Sequence, residues 1–188
     1  TLRLAMIREN LWHPKRKKSI ILHPLRDRRS YEGELIQADG SPHDWFEGRA
    51  AACTLLVYID DATGKLLWLE FVESESTAAY FRATKHYLLA YGKPVSFYVD
   101  KHGVFRVNSR RAATASVDDD NGETQFQRAM NQLNIEVIFA NSAQAKGRVE
   151  KVNQTLQDRL VKEMRLLGIC TVEEGNRYLP EFMEDYNK

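Results

Sequence analysis

The feature of the sequence that most restricts the fold is a pair of apolar runs separated by a single turn. Residues Cys53 to Ile59 (CTLLVYI) are almost entirely apolar, as expected of a strand buried on both faces. Residues Leu66 to Val72 (LLWLEFV) have the same character. Between them, Asp60 to Lys65 (DDATGK) has the composition of a turn. We therefore predict a β-hairpin in the first half of the chain.

Further elements are predicted on both sides of this hairpin. The short alternating segment Glu34 to Asp39 predicts a preceding strand. Apolar residues at helical spacing, with Ser74 or Ser76 as a cap and Gly92 with Pro94 as the stop, predict a helix within Glu73 to Tyr91. The remaining patterns predict a strand at Val95 to Val99, a helix at Gln125 to Leu133, a strand at Ile135 to Ala140 and a long helix at Lys146 to Leu167.

This order of elements favours one fold class. The predicted order is three strands followed by helix, strand, helix, strand and helix. This is the order of a ribonuclease-H-like α/β fold, which has a mixed five-stranded sheet and flanking helices. Its first three strands form an antiparallel meander, and its first and fourth strands become central neighbours. We predict this core at residues 34–170, after a basic arm or linker at 1–33 and before a C-terminal helix at 171–188 leading to a downstream domain absent from this chain.

Composition limits the other classes. The 188 residues, 43% of them hydrophobic, suit one domain with a substantial core. No run approaches 18 apolar residues, and charges occupy the place of a signal peptide's apolar region, so we expect a cytoplasmic protein with no membrane partner. Cys53 and Cys170 lie far apart, which argues against a disulfide framework or zinc site. Because the chain begins at Thr1, we expect a fragment.

Charge is unevenly distributed along the chain. Residues 1–30 contain nine Lys and Arg against Glu9 and Asp27, a net charge of +7, whereas the rest carries −6. This asymmetry is expected of a protein that binds a phosphate backbone with one part and metal ions with another. A solubilising leader or a targeting patch is the alternative. The candidate phosphate-binding residues of the arm are Lys15, Arg16, Lys17, Lys18, Arg26, Arg28 and Arg29.

Three carboxylates stand at positions that the predicted fold brings together. Asp39 and Asp100 end the first and fourth strands, and Glu150 lies in the first turn of the long helix. Two Mg²⁺ ions can be held close together only where acidic oxygens neutralise them, and rigid elements hold such oxygens best. Taken singly, each has a structural reading: Asp39 and Asp100 as turn residues, Glu150 as an exposed helix residue. Their joint order favours a two-metal site.

Four segments carry a resemblance to a known family. They are GELIQADGSPHDWFEG (33–48), CTLLVYIDDATGKLL (53–67), FYVDKHGVF (97–105) and NSAQAKGRVEKVNQTLQDRLVKE (141–163). From about Arg26 to its end, the chain resembles DDE transposases of the retroviral-integrase type. It is most similar to bacterial insertion-sequence transposases of the ISNCY type.

The resemblance implies a catalytic triad and a mechanism. Asp39 would bridge two Mg²⁺ ions, Asp100 would hold one and Glu150 the other, with Mn²⁺ as a substitute. The reaction would be phosphoryl transfer at DNA 3′ ends, first to water and then from the freed 3′-hydroxyl to target DNA. The resemblance also implies transposon-end and target DNA as partners, a homo-oligomer in the active complex, and action on the bacterial nucleoid.

Additional DNA contacts are predicted around the triad. Gln144, Gly147 and Asn153 match the family's helix-start pattern, while Asp-Lys-His-Gly replaces the common Asp-Asn-Gly and leaves open whether Lys101 or His102 faces the scissile phosphate. His43 and Trp45 either touch DNA or pack locally. The basic residues near the start of the long helix are candidates for phosphate contacts: Lys146, Arg148 and Lys151.

Two alternatives stay open at this point. The first is a ribonuclease-H-like nuclease that hydrolyses its substrate without joining ends. The second is a catalytically silent DNA-binding protein derived from a transposase, which the presence of all three carboxylates disfavours.

Overall fold

The computed structural model describes residues 6, 8, 9, 27–100, 103–105, 123–140 and 147–188. In these residues the chain alternates strands and helices in the predicted order. The elements are β1 (Leu35–His43), β2 (Cys53–Asp60), β3 (Leu66–Val72), α1 (Thr77–Tyr91), β4 (Ser96–Val99), α2 (Gln125–Gln132), β5 (Glu136–Phe139), α3 (Gly147–Leu166) and α4 (Val172–Tyr186).

The strands form one mixed sheet in the order β3-β2-β1-β4-β5. β1, β2 and β3 are an antiparallel meander, whereas β4 pairs in parallel with β1 and with β5. The predicted ribonuclease-H-like fold is therefore confirmed, with β1 and β4 as neighbours at the centre of the sheet. Within the described ranges, no helix has the length and apolar character needed to cross a bilayer.

β1 is longer than the sequence predicts. Its expected end at Asp39 lies in mid-strand, because Gly40 to His43 continue to pair with residues 53–56 of β2. The reading of Asp39 as the start of a turn is therefore wrong. Pro42, which has no N–H, is tolerated because the pairing of β1 with β4 covers only Leu35 to Gln37.

The helices begin at side-chain caps. The Ser76 hydroxyl accepts a hydrogen bond from the Ala79 N–H, so α1 starts at Thr77, and it ends at Gly92 with φ 82°. α2 begins after Thr124, which forms a reciprocal capping box with Gln127. The acidic run 118–120, whose composition also predicts a helix N-cap, lies outside the described residues, and Thr124 is the cap of α2.

Apolar side chains cover both faces of the sheet. On one face, Tyr58 and Phe97 pack with side chains of α1 and α2. On the other, Leu55 and Val57 pack with side chains of α3 and α4. Trp45 joins this second core with no exposed surface, and its indole N–H donates to the Ser41 carbonyl oxygen over 2.9 Å. Trp45 therefore packs locally rather than presenting a free ring to DNA.

The segment before β1 is attached to the sheet by two buried aspartates. The backbone N–H of Gly33 donates to Asp60 Oδ1, and that of Arg29 donates to Asp61 Oδ2, each over 2.9 Å. Gln37 Nε2 on β1 also donates to Asp61 Oδ1, over 2.6 Å. The end of the predicted arm is thus hydrogen-bonded to the β2–β3 turn, and the domain boundary at residue 33 stays a prediction.

Two asparagine side chains form hydrogen bonds with backbone groups at the outer edge of β3. Asn176 accepts from the Phe71 N–H over 2.7 Å and donates to the Phe71 carbonyl over 3.0 Å. Asn187 makes the same pair of contacts with Leu66, both over 2.8 Å. Each side-chain amide imitates a neighbouring strand, so the C-terminal helix protects an edge that would otherwise pair with another chain.

We predict that Asn176→Ala and Asn187→Ala each lower the free energy of unfolding by about 2 kcal/mol, because each removes two hydrogen bonds to an edge strand. Urea unfolding measures the change. Asn131→Ala is the control, since the Asn131 side-chain amide donates to the exposed Glu123, and it should change stability by less than about 0.5 kcal/mol. Equal effects in all three variants would contradict the edge-protecting role.

Candidate catalytic site

The register of the two central strands, continued two positions past its last pair, brings Asp39 level with Asp100. Leu35 pairs with Ser96 and Gln37 with Tyr98, an offset of 61 positions. The same offset aligns Asp39 with Asp100, just past the last paired residues. β4 ends at Val99, so Asp100 follows at the carboxyl edge of the sheet, as predicted.

The side chain of Asp39 faces α3. Successive side chains of a strand point to opposite faces, so Gln37, Asp39 and Ser41 share one face of β1. Asn153 Nδ2 donates to Asp39 Oδ2 over 3.2 Å, and Gln157 Nε2 donates to Ser41 Oγ over 3.0 Å. Because the two amides are four residues apart, one face of α3 follows β1 past the predicted catalytic aspartate.

Asn153 is mostly buried, whereas a residue that contacts DNA needs an accessible side chain. Only 9% of its surface is exposed, and its Oδ1 has no hydrogen-bond partner within the described part of the chain. A buried acceptor of this kind is commonly satisfied by a water or a bound ligand. The structure therefore gives Asn153 a contact with Asp39, while the predicted contact with DNA stays a prediction.

Glu150 lies in the first turn of α3, as predicted, one helical turn before Asn153. Its side chain is exposed. In the ranges that the structure describes, no three His, Cys, Asp or Glu side chains are arranged to hold a metal ion. The donor set of carboxylates and an amide oxygen nevertheless fits Mg²⁺, which prefers oxygen ligands. The structure thus aligns the two aspartates and orients the helix that carries Glu150.

A further carboxylate, Glu75, lies on the other side of β1. A side chain at Gly40 would collide with the Glu75 carboxyl group, whose Oε2 would lie 2.7 Å from the added Cβ. Tyr80 donates its hydroxyl to the same oxygen over 3.0 Å. Burial, together with the nearby charges of Glu75 and Asp39, raises the pKa of Tyr80, so its phenol stays protonated. The sequence did not indicate Glu75, because Gly40, against which its carboxyl group lies, is 35 positions away along the chain.

Few of the predicted DNA-binding residues fall within the described ranges. Arg28 donates to the Ala62 carbonyl over 3.4 Å, and Arg29 pairs with Glu34 over 3.3 Å. Lys151 is exposed on α3 and lines, with Arg28, a cavity of about 270 Å³. The remaining residues lie outside the described part of the chain: Lys15, Arg16, Lys17, Lys18, Arg26, Lys101, His102, Gln144, Lys146 and the side chain of Arg148.

Comparison with known proteins finds two transposases with similar sequences. No protein-family model matches the chain. The chain is 55% identical over 188 residues to "Putative transposase y4bF" of Sinorhizobium fredii, covering all of this chain and 40% of that protein. It is 38% identical over 167 residues to the transposase for insertion sequence IS1202 of Streptococcus pneumoniae, covering 89% of this chain and 35% of that protein. The chain is thus similar to transposases over most or all of its length.

Solved structures agree with the ribonuclease-H-like fold. The chain resembles the simian T-cell lymphotropic virus intasome bound to the PP2A regulatory subunit B56 gamma (TM-score 0.61, 18% identity, 82% of this chain and 49% of that one). It also resembles the HTLV-2 integrase catalytic core domain in complex with magnesium, in a trimeric form (TM-score 0.56, 15% identity, 77% and 80%). The chain spans no more than about two fifths of the curated transposases that it matches.

We predict that Asn153→Ala lowers the free energy of unfolding by about 1–2 kcal/mol, because the variant cannot form the buried hydrogen bond to Asp39. Asn153→Asp should be more destabilising at pH 7 than at pH 4, since acid protonates the new carboxyl pair and relieves its repulsion. Urea unfolding at both pH values measures this. Gln154→Ala, an exposed change on the same helix, should be neutral. If it destabilised as much as Asn153→Ala, a general effect of substitutions on this helix, rather than loss of the hydrogen bond to Asp39, would explain the result.

Proposed function

We propose that this chain is the catalytic core of a DNA transposase that cleaves DNA and transfers the resulting 3′ end to a target strand. The observation that best supports this proposal is the alignment of Asp39 with Asp100 at the sheet centre, with α3 packed over the same strand. The predicted Glu150 lies at the start of that helix. These three residues are the proposed catalytic triad.

The proposed roles follow from where each carboxylate lies. Asp39 is held by Asn153 between the sheet and α3, so it is the central ligand of the proposed pair of divalent cations. Asp100 follows the end of β4, and Glu150 projects from the exposed start of α3. When bound, two Mg²⁺ ions, or Mn²⁺ in their place, would activate the attacking oxygen and stabilise the leaving oxygen. The carboxylates would neutralise that charge and fix its position.

Basic residues would hold the DNA backbone beside these acids. Arg28 and Lys151 line one cavity, although they lie 123 positions apart, which places the end of the arm near α3. We propose that this pair and the rest of the basic arm contact phosphates, which position DNA without reading its sequence. The HTLV-2 integrase core is recorded in dimeric and trimeric forms, and we propose a homo-oligomer here too, acting on DNA in the bacterial cytoplasm.

We predict that Asp39→Asn, Asp100→Asn and Glu150→Gln each reduce Mg²⁺-dependent cleavage and joining of transposon-end DNA by about a hundredfold or more. These changes keep side-chain shape but remove the charge that balances the cations. The assay uses full-length protein, labelled transposon-end DNA and target DNA, with both products quantified. DNA binding should persist, because basic groups provide it.

Asp158→Asn and Asp44→Asn are the controls for the triad. Asp158 lies on the same helix as Glu150 but pairs with Lys162, and Asp44 accepts from the Gly48 N–H. Both variants should keep most of the parent activity. The proposal fails if a triad variant joins ends at the parent rate. If the parent cleaves but never joins ends, it is a hydrolytic ribonuclease-H-like nuclease instead.

We predict that neutralising Lys15, Arg16, Lys17 and Lys18 weakens binding to all DNA sequences by a similar factor. The slope of log affinity against log salt should flatten by about 0.9 for each phosphate that the arm no longer neutralises. Fluorescence anisotropy on two unrelated duplexes measures both effects. An effect confined to one sequence would assign base recognition to the arm, and an unchanged slope would assign the arm to a partner other than DNA.

A further inference from the structure

The carboxyl group of Glu75 lies against β1, at the place where a side chain at position 40 would begin. Glu75 lies between β3 and α1, half-buried, with its carboxyl group against Gly40, the residue that follows Asp39. An added Cβ at Gly40 would meet Cδ and both oxygens of Glu75. The glycine at position 40 therefore lets the Glu75 carboxylate lie close to the β1 backbone.

Tyr80 fixes this carboxylate from the first turns of α1. The Tyr80 hydroxyl donates to Glu75 Oε2 over 3.0 Å. Tyr80 is itself fully buried, and its ring packs edge-on against Phe105, with 4.5 Å between the ring centroids. Phe105 closely follows Asp100 in the chain. A buried, well-packed donor thus holds Glu75 against Gly40, the neighbour of Asp39 on β1.

We propose that Glu75 is an accessory carboxylate of the catalytic site, which adds a fixed negative charge beside Asp39 and so strengthens the binding of divalent cations there. This inference rests on the proposed function, since it takes Asp39 and Asp100 as the cation ligands. Glu75 acts through the field at those ligands, and no direct bond to a cation is required of it.

An independent feature indicates that a ligand binds at this part of β1. Asn153 approaches Asp39 from the face opposite to Glu75, is nine-tenths buried, and leaves its Oδ1 without a hydrogen-bond partner in the described part of the chain. A buried oxygen beside a carboxylate suits a hydrated cation, whose water molecules donate hydrogen bonds. Asp39 therefore has the acceptor Asn153 Oδ1 on one face of the sheet and the negative charge of Glu75 on the other.

The decisive experiment measures cation binding without DNA. Calorimetric titration with Mn²⁺ and with Mg²⁺ compares the full-length parent with Glu75→Gln, which keeps shape and an acceptor for Tyr80 but removes the charge. The affinity should fall about threefold to tenfold, as expected for one charge several ångströms from a divalent ion near the surface. Glu73→Gln removes an exposed charge two residues away and should bind cations like the parent.

Two further measurements separate a charge effect from a structural one. The difference between the parent and Glu75→Gln should shrink as the salt concentration rises, because salt screens charges. The melting temperature without cations should not fall, since the variant loses repulsion between acids. Gly40→Ala displaces the carboxylate and should also weaken binding, and adding Glu75→Gln to it should have little further effect.

The outcomes distinguish this inference from the proposed function. A parent that binds neither Mn²⁺ nor Mg²⁺ contradicts both. A parent that binds cations while Glu75→Gln binds them equally well overturns the accessory role alone. The same holds if Glu73→Gln weakens binding as much as Glu75→Gln, or if the effects of Gly40→Ala and Glu75→Gln simply add.

Discussion

The parallel pairing of β1 with β4 is the constraint on which the candidate site depends. A constant offset of 61 positions brings two short strand segments together and aligns Asp39 with Asp100. This pairing carries a large loss of chain entropy because it joins distant parts of the sequence. The antiparallel meander on one side and β5 on the other hold both strands at the sheet centre. Apolar cores on both faces then make the alignment rigid.

Side chains approach Asp39 and its neighbours on β1 from both faces of the sheet. From the α3 side, Asn153 bonds its carboxylate, and Gln157 continues the contact at Ser41. From the α1 side, Glu75 lies against Gly40 and accepts a hydrogen bond from Tyr80. The helices that build the two cores therefore also supply the groups around the aspartate. Packing and proposed chemistry are linked here, since a shift of α1 or α3 would change the field at Asp39.

Elements with a local signal could be predicted from the sequence. The apolar runs indicated β2 and β3, and cap residues with helical spacing indicated α1. The end of β1 was misjudged because Asp-Gly-Ser-Pro resembles a turn, whereas pairing with β2 keeps it extended. The approach of Glu75 to Gly40 and the contact of Asn153 with Asp39 were missed because the residues they approach on β1 lie 35 or more positions away. The contacts of Asn176 and Asn187 with β3 arise over still longer separations, 105 and 121 positions.

The central claim is that Asp39, Asp100 and Glu150 form one cation site when DNA is bound. The most direct measurement is anomalous X-ray scattering from crystals of the full-length protein grown with transposon-end DNA and Mn²⁺. The account predicts two neighbouring Mn²⁺ peaks, with Asp39 in contact with both, Asp100 with one and Glu150 with the other. Ordered DNA with Mn²⁺ bound only elsewhere, or coordinated without Asp39, would contradict it.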